Sequence, residues 1–95
     1  MAKAPARQLP VPQAAQLFHM LGDENRLRIL LLLSQRKEIN VSSLGAALGQ
    51  SQPATSHHLT LLRATGLVSY RREGKHNFYF LASDFVRQLL QKIKF

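Results

Sequence analysis

An α+β fold, mainly helical, is predicted by three observations. Residues 42–66 carry two helical patterns joined by a very short turn, residues 67–81 carry two strand-like runs, and apolar-periodic helices flank both. The central pair reads as a helix-turn-helix, a shape that fits a DNA groove, and the strand pair as a two-stranded wing beside it. The expected organisation is a flexible basic tail over residues 1–11 and one winged helix-turn-helix domain over 12–95.

The first helix is expected from about Pro12 to Leu21, burying Leu17, Met20 and Leu21 with Ala14 nearby. Asp23 is a good cap for the second, whose LRILLLL segment is apolar almost all round and therefore central. Arg26 and Arg28 flank it as solvated or ion-paired side chains. Ile39–Val41 is a candidate short strand against the wing.

For the third helix, Ser42 or Ser43 is the expected cap, Leu44 and Leu48 repeat at i, i+4, and Gly49 ends it through a left-handed conformation. The fourth starts at once, with Ser51 as cap, Pro53 in its first turn and Gly66 as its stop. On a helical wheel Thr55, Leu59 and Leu62 share the inner stripe, leaving Pro53, Ser56, His57 and Thr60 outward.

The following segment, LVSYRREGKHNFYFL, breaks at Glu73, Gly74 and Lys75 and reads as a β-hairpin. Ser83 then caps a last helix in which Phe85, Val86, Leu89, Leu90 and Ile93 form a broad apolar stripe. A domain this small has too little core to cover both that stripe and the Leu17, Met20 face of the first helix. Both are therefore expected to pair with a second copy as a two-fold dimer.

Composition narrows the partner. The 95 residues carry a net charge of +8 and a pI near 11.0, suited to a polyanion such as nucleic acid or an anionic surface. The longest aliphatic run, Ile29–Leu33, is far shorter than the ~20 residues that span a membrane. The N-terminal MAKAPARQLPVPQ has no apolar core of a secretory signal, and the chain has no cysteine, so the cytoplasm is the expected address.

The outward face of the fourth helix carries hydroxyls and an imidazole but no acid. Small hydrogen-bonding groups at the start of a groove-inserted helix reach base edges, while Arg71, Arg72, Lys75 and His76 around the hairpin tip suit phosphates or simply solvent. His58 falls on the flank between core and surface, in a packed or hydrogen-bonded role, and His19 is expected half exposed. Catalysis fares badly. The acids are Asp23, Glu24, Glu38, Glu73 and Asp84, two of which look like caps, and Ser56 and His57 diverge by about 100 degrees on their helix instead of forming a nucleophile and base. No phosphate-binding glycine loop occurs, and no enzyme is expected.

With LGDENRLRILLLL at 21–33, SQPATSHHLTLLRATGLV at 51–68 and RREGKHNFYFLA at 71–82 in this order and spacing, the chain resembles the arsenical-resistance-repressor (ArsR) family of regulators over residues 14–95. The resemblance implies a homodimeric repressor of a double-stranded DNA operator with an inverted repeat. It places Gln52, Ser56 and His57 near bases and Ser51 and the wing cations near backbone. A protein-protein interaction module on the same fold, or a non-specific nucleic-acid binder, are the alternative readings. The family's arsenic and cadmium sensors carry a cysteine pair in an ELCVCDL motif, where this chain has EINVSSL, with Asn40 and Ser42 at those positions. Neither supplies the thiolate that soft ions demand. The positions matching the first zinc and nickel ligands of the last helix are Ser83 and Phe85. No metal site, cofactor or known inducer is therefore expected.

Overall fold

The computed structural model describes residues 8–95. Its elements run α1 (Val11–Leu21), α2 (Glu24–Gln35), β1 (Ile39–Asn40), α3 (Val41–Leu48), α4 (Gln52–Ala64), β2 (Val68–Glu73), β3 (His76–Leu81) and α5 (Asp84–Leu90). Of the tail expected over residues 1–11, residues 1–7 lie outside the described residues, and Val11 already opens α1.

Helix α2 is the hub. The Asp23 carboxylate accepts from the Arg26 backbone N–H at 3.0 Å, closing its N-terminus, and Ile29 through Leu33 are all buried. Met20 of α1, Leu44 of α3, Leu59 and Leu62 of α4, Val68, Tyr79 and Leu81 of the sheet, and Val86 and Leu90 of α5 complete the core around it. Arg28 stays at the surface as expected, whereas Arg26, expected solvated or ion-paired, is half-buried and held by backbone carbonyls instead. Arg28 pairs with Glu24 one turn away, and Arg26 donates from Nε to the Met20 carbonyl at 3.1 Å.

Strand β1 forms as expected but is shorter, because Val41 turns into α3. The sheet order is β1-β3-β2, all antiparallel, with Ile39 opposite Tyr79 and Asn40 opposite Phe78. Asn40 also caps α3, its side-chain oxygen accepting from the Ser43 N–H at 2.8 Å. This corrects the assignment of the cap to Ser42 or Ser43: the helix begins earlier, so the residue before it, still in the extended strand conformation, is the one placed to cap.

The turn between α3 and α4 has Gly49 at φ 68°, and Ser51 caps α4 by accepting from the Ala54 N–H at 3.2 Å. The two helices meet closely. A Cβ on Gly45 would lie 3.0 Å from both the Gln50 carbonyl oxygen and Oγ1 of Thr55, a fully buried residue whose hydroxyl donates to the Ser51 carbonyl at 2.8 Å. Gly45→Ala is therefore expected to force the helices apart and cost about 1–3 kcal/mol. A lowered urea midpoint at unchanged slope would register it, and a wild-type midpoint would show that the contact gives way freely.

The apolar stripe of the last helix divides in two. Val86 and Leu90 lie in the chain's own core, as does Met20 of α1, whereas Phe85 is 54% exposed and Leu89 and Leu17 are half-buried. Three of the seven residues expected to dimerise are thus internal, because α5 packs on α2 through the Val86, Leu90 line. Ile93 is exposed but lies beyond the helix, which ends at Leu90. Phe18, not singled out from sequence, is 67% exposed, and His19, expected half exposed, is exposed outright.

Candidate nucleic-acid interface

Helix α4 divides as its wheel requires. Thr55, Leu59 and Leu62 are fully buried against the domain, while Ser51, Gln52, Pro53, Ser56, His57 and Thr60 are all exposed. The sequence-predicted residues of this helix therefore share one accessible surface, with a capped N-terminus at one end. The Thr60 hydroxyl donates to the Ser56 carbonyl at 2.9 Å, so what it offers outward is an acceptor. His58 is half-buried, with Nδ1 enclosed and without a protein partner. The nearby Asp23 carboxyl is held below its ordinary value chiefly by the hydrogen bond from the Arg26 backbone N–H, with the Arg26 charge adding to it.

One residue of this surface was missed from sequence. Arg63 follows Ser56 and Thr60 at i+7 and i+3, so the helical period carries it onto the same stripe, and its guanidinium lies 4.6 Å from the centre of the Tyr70 ring. Tyr70 in turn packs against Tyr79 across the strand pair, ring centres 5.2 Å apart. The end of α4 is thereby joined to the base of the wing.

The wing itself has two unlike faces. The register pairs Val68 with Leu81, Tyr70 with Tyr79 and Arg72 with Asn77, and directly opposed residues point to the same side. Arg72 is therefore on the face that Arg63 of α4 covers, one step beyond Tyr70 toward the tip. On the other face stand Arg71, Phe78, Glu73 and His76. The turn is tighter than expected: Glu73 ends β2, Gly74 adopts φ 62°, and Gly74 and Lys75 alone form the connection.

Arg71 is engaged within the protein. It donates from Nε to both Glu38 oxygens at 3.0 Å, from Nη2 to Glu38 Oε1 at 2.6 Å and from Nη1 to Glu73 Oε1 at 2.6 Å, and it lies over the Phe78 ring at 4.9 Å. The hydrogen bonds from Arg71 hold the Glu38 carboxyl below the usual carboxylate range. A contribution of this kind is complete above the ordinary carboxylate value and is lost only as pH falls through the lowered one, so the bridge stands throughout neutral pH. Arg72, by comparison, has among the described residues only a long 3.5 Å contact to Asn77, and Lys75 is exposed at the tip. Nothing in the composition or periodicity marked Glu38 as a partner, since it lies 33 positions from Arg71.

Two of the four positions that the family resemblance sets against metal ligands, Asn40 and Ser83, are structural caps in this chain. Asn40 closes α3, and Ser83 closes α5 by accepting from the Val86 N–H at 3.2 Å. Among the described residues no three His, Cys, Asp or Glu side chains group to hold a metal ion, and no helix is long and apolar enough to cross a membrane.

Comparison with known proteins agrees with this geometry. The sequence is 37% identical over 81 residues to an HTH-type transcriptional regulator of Methanocaldococcus jannaschii, covering 85% of this chain and 91% of that one. It is 52% identical over 67 residues to the arsenical resistance operon repressor of Escherichia coli, covering 70% of this chain and 57% of that longer protein. The homodimeric winged helix-turn-helix DNA-binding domain of a possible ArsR-family regulator from Mycobacterium bovis superposes with a TM-score of 0.79 at 32% identity, covering 97% of this chain and 82% of that one. Residues 23–70, from the cap of α2 to the base of the wing, match the family described as bacterial regulatory protein, arsR family. The chain belongs to the ArsR family of bacterial regulatory proteins.

Proposed function

We propose that this regulator is a homodimeric repressor that occupies an inverted-repeat operator and blocks transcription. The observation that carries the reading is the continuous surface from the α4 N-terminus through Ser56, Thr60 and Arg63 to Tyr70 and Arg72, uncharged where base edges are read and cationic where backbone passes. In this reading Gln52, Ser56 and His57 face bases, with Pro53 and Thr60 beside them. Ser51, Arg63, Arg72 and Lys75 meet the sugar-phosphate backbone. His76, on the Phe78 face of the wing, is a poorer candidate.

Replacing His57 or Gln52 by Ala should cost about 1–3 kcal/mol on a duplex selected by the wild-type protein and relax preference at one base pair per half-site. Equal loss on selected and random duplexes would refute base reading. A protein-interaction module is less favoured because the exposed aromatics, Phe18, Phe85 and Phe95, stand on α1, on α5 and beyond α5, and α4 presents no aromatic or aliphatic anchor outward. Phe18, Phe85, Leu17 and Leu89 are instead proposed to meet a second copy. We also assign the protein no catalytic role and place its work in the cytoplasm, where a bacterial operator is found.

Regulation is proposed to be independent of metals and thiols, since Asn40, Ser42, Ser83 and Phe85 replace the ligands of the family's known sensors. Zinc, nickel, cadmium, arsenite and peroxide should leave the protein on its selected duplex in a competition assay. Stoichiometric tight binding of any of these ions, coupled to release of DNA, would overturn this.

A further inference from the structure

The two adjacent wing arginines are chemically alike but structurally distinct. Arg72 extends from the α4 side of the hairpin with almost no partner. Arg71 is clamped between two carboxylates and an aromatic face, and one of those carboxylates, Glu38, belongs to the link between α2 and β1. We infer that Glu38 and Arg71 form a strut that fixes the direction of the wing, and that the wing's phosphate contacts fall to Arg72 and Lys75. The inference rests on the operator-binding reading and deepens it. Glu38, which is outside both the helix-turn-helix and the hairpin, becomes a positioning residue for DNA binding.

Three physical points support the strut. The wing is a two-stranded ribbon beyond the reach of β1, whose pairing to β3 ends at Phe78, and isolated hairpins hold a direction poorly. The Arg71 to Glu38 contact is bidentate, the geometry in which a guanidinium fork fixes orientation as well as distance, and it ties the root of the free hairpin, the row where Arg71 opposes Phe78, to the segment leaving the hub helix. Finally, with Glu38 and Glu73 both bound to it, the Arg71 guanidinium has its donors taken up by carboxylates. That is unsuited to a phosphate, whereas Arg72 has no acid in contact among the described residues.

The sign of the Glu38 effect separates the strut from an Arg71 that binds DNA. Were Arg71 a phosphate ligand held back by Glu38, then Glu38→Ala or Glu38→Gln would free a cation, remove an anion and tighten binding. As a strut partner, Glu38 should when replaced loosen binding about threefold to tenfold on both a selected duplex and a random one. Amide hydrogen exchange in β2 and β3 should rise while α2 and α4 stay protected. Arg71→Lys adds a second discrimination. Lys serves phosphate well as a point charge but lacks the fork, so it should weaken binding as much as Arg71→Ala does. Tighter or unchanged binding by the Glu38 variants, unchanged wing exchange, or full rescue by Arg71→Lys would overturn the strut while leaving operator binding intact. A wild-type protein that binds neither duplex would overturn the operator reading, and wing exchange would still decide whether the strut holds the hairpin.

Discussion

The double variant Phe18→Arg/Phe85→Arg should be a folded monomer that has lost preference for its operator. Both side chains are exposed, at 67% and 54%, so neither replacement disturbs the core. Across a two-fold axis each introduced arginine is placed near apolar surface or near its own symmetry mate, and either position disfavours association. One recognition helix reads only a few base pairs, whereas two held about 34 Å apart read successive major grooves on one face of the duplex. Specific complexes exceed non-specific ones by about 10³–10⁷-fold, and much of that ratio needs both half-sites. The monomer should therefore lose on the order of 10³-fold on the selected duplex and little on a random one. Because the substitutions add positive charge, weaker binding is not attributable to lost electrostatic attraction. Sedimentation and titration on both duplexes measure the outcome. A variant that sediments as a dimer at micromolar concentration, or keeps its preference, would show that α1 and α5 are not the interface.

The helix-turn-helix was legible because each of its signals is local. A cap residue, an apolar period of three and four, and a glycine able to take positive φ lie within a few positions of one another, and Ser51, Thr55, Leu59, Leu62 and Gly49 all take the places those signals assign. The hairpin was legible for the same reason, from its Val, Tyr and Phe content and its turn. What escaped was decided by tertiary arrangement. A stripe as broad as Phe85 to Ile93 states only that much apolar surface needs covering, and whether α2 or a second chain covers each residue depends on how α5 is rolled. Phe18 was overlooked because Leu17 and Met20 form an equally good stripe on the same short helix. The Glu38 to Arg71 bridge joins residues 33 positions apart and has no sequence period to betray it. Arg63 is the exception, since its spacing from Ser56 and Thr60 placed it on the outward stripe from the start.

Truncation after Ala82 and the single variant Leu89→Arg should part ways, although a last helix devoted to dimerisation would make them equivalent. Truncation removes Val86 and Leu90, which are 1% and 2% exposed and fill the space beside α2. Two fully buried aliphatic side chains contribute about 3–6 kcal/mol, at ~1.5–3 kcal/mol each. A chain of this length is stable by only about 5–14 kcal/mol, at 0.05–0.15 kcal/mol per residue. The truncated protein therefore forfeits a large fraction of its stability, uncovers the α2 surface around Leu31, which lines one groove with Leu90, and should lack a cooperative thermal transition. Leu90→Ala is the milder probe of the same packing. It should cost about 2–5 kcal/mol, which for a domain this size lowers Tm on the order of 10 °C or more. Leu89 stands on the half-buried flank, so Leu89→Arg should leave a cooperative transition at a Tm independent of protein concentration, whereas the Tm of the proposed wild-type dimer should rise with concentration. Thermal scans at several concentrations distinguish the two cases. If the truncated chain melts cooperatively within a few degrees of wild type, α5 does not complete the core, and its Val86, Leu90 line returns to the set of residues available to a partner.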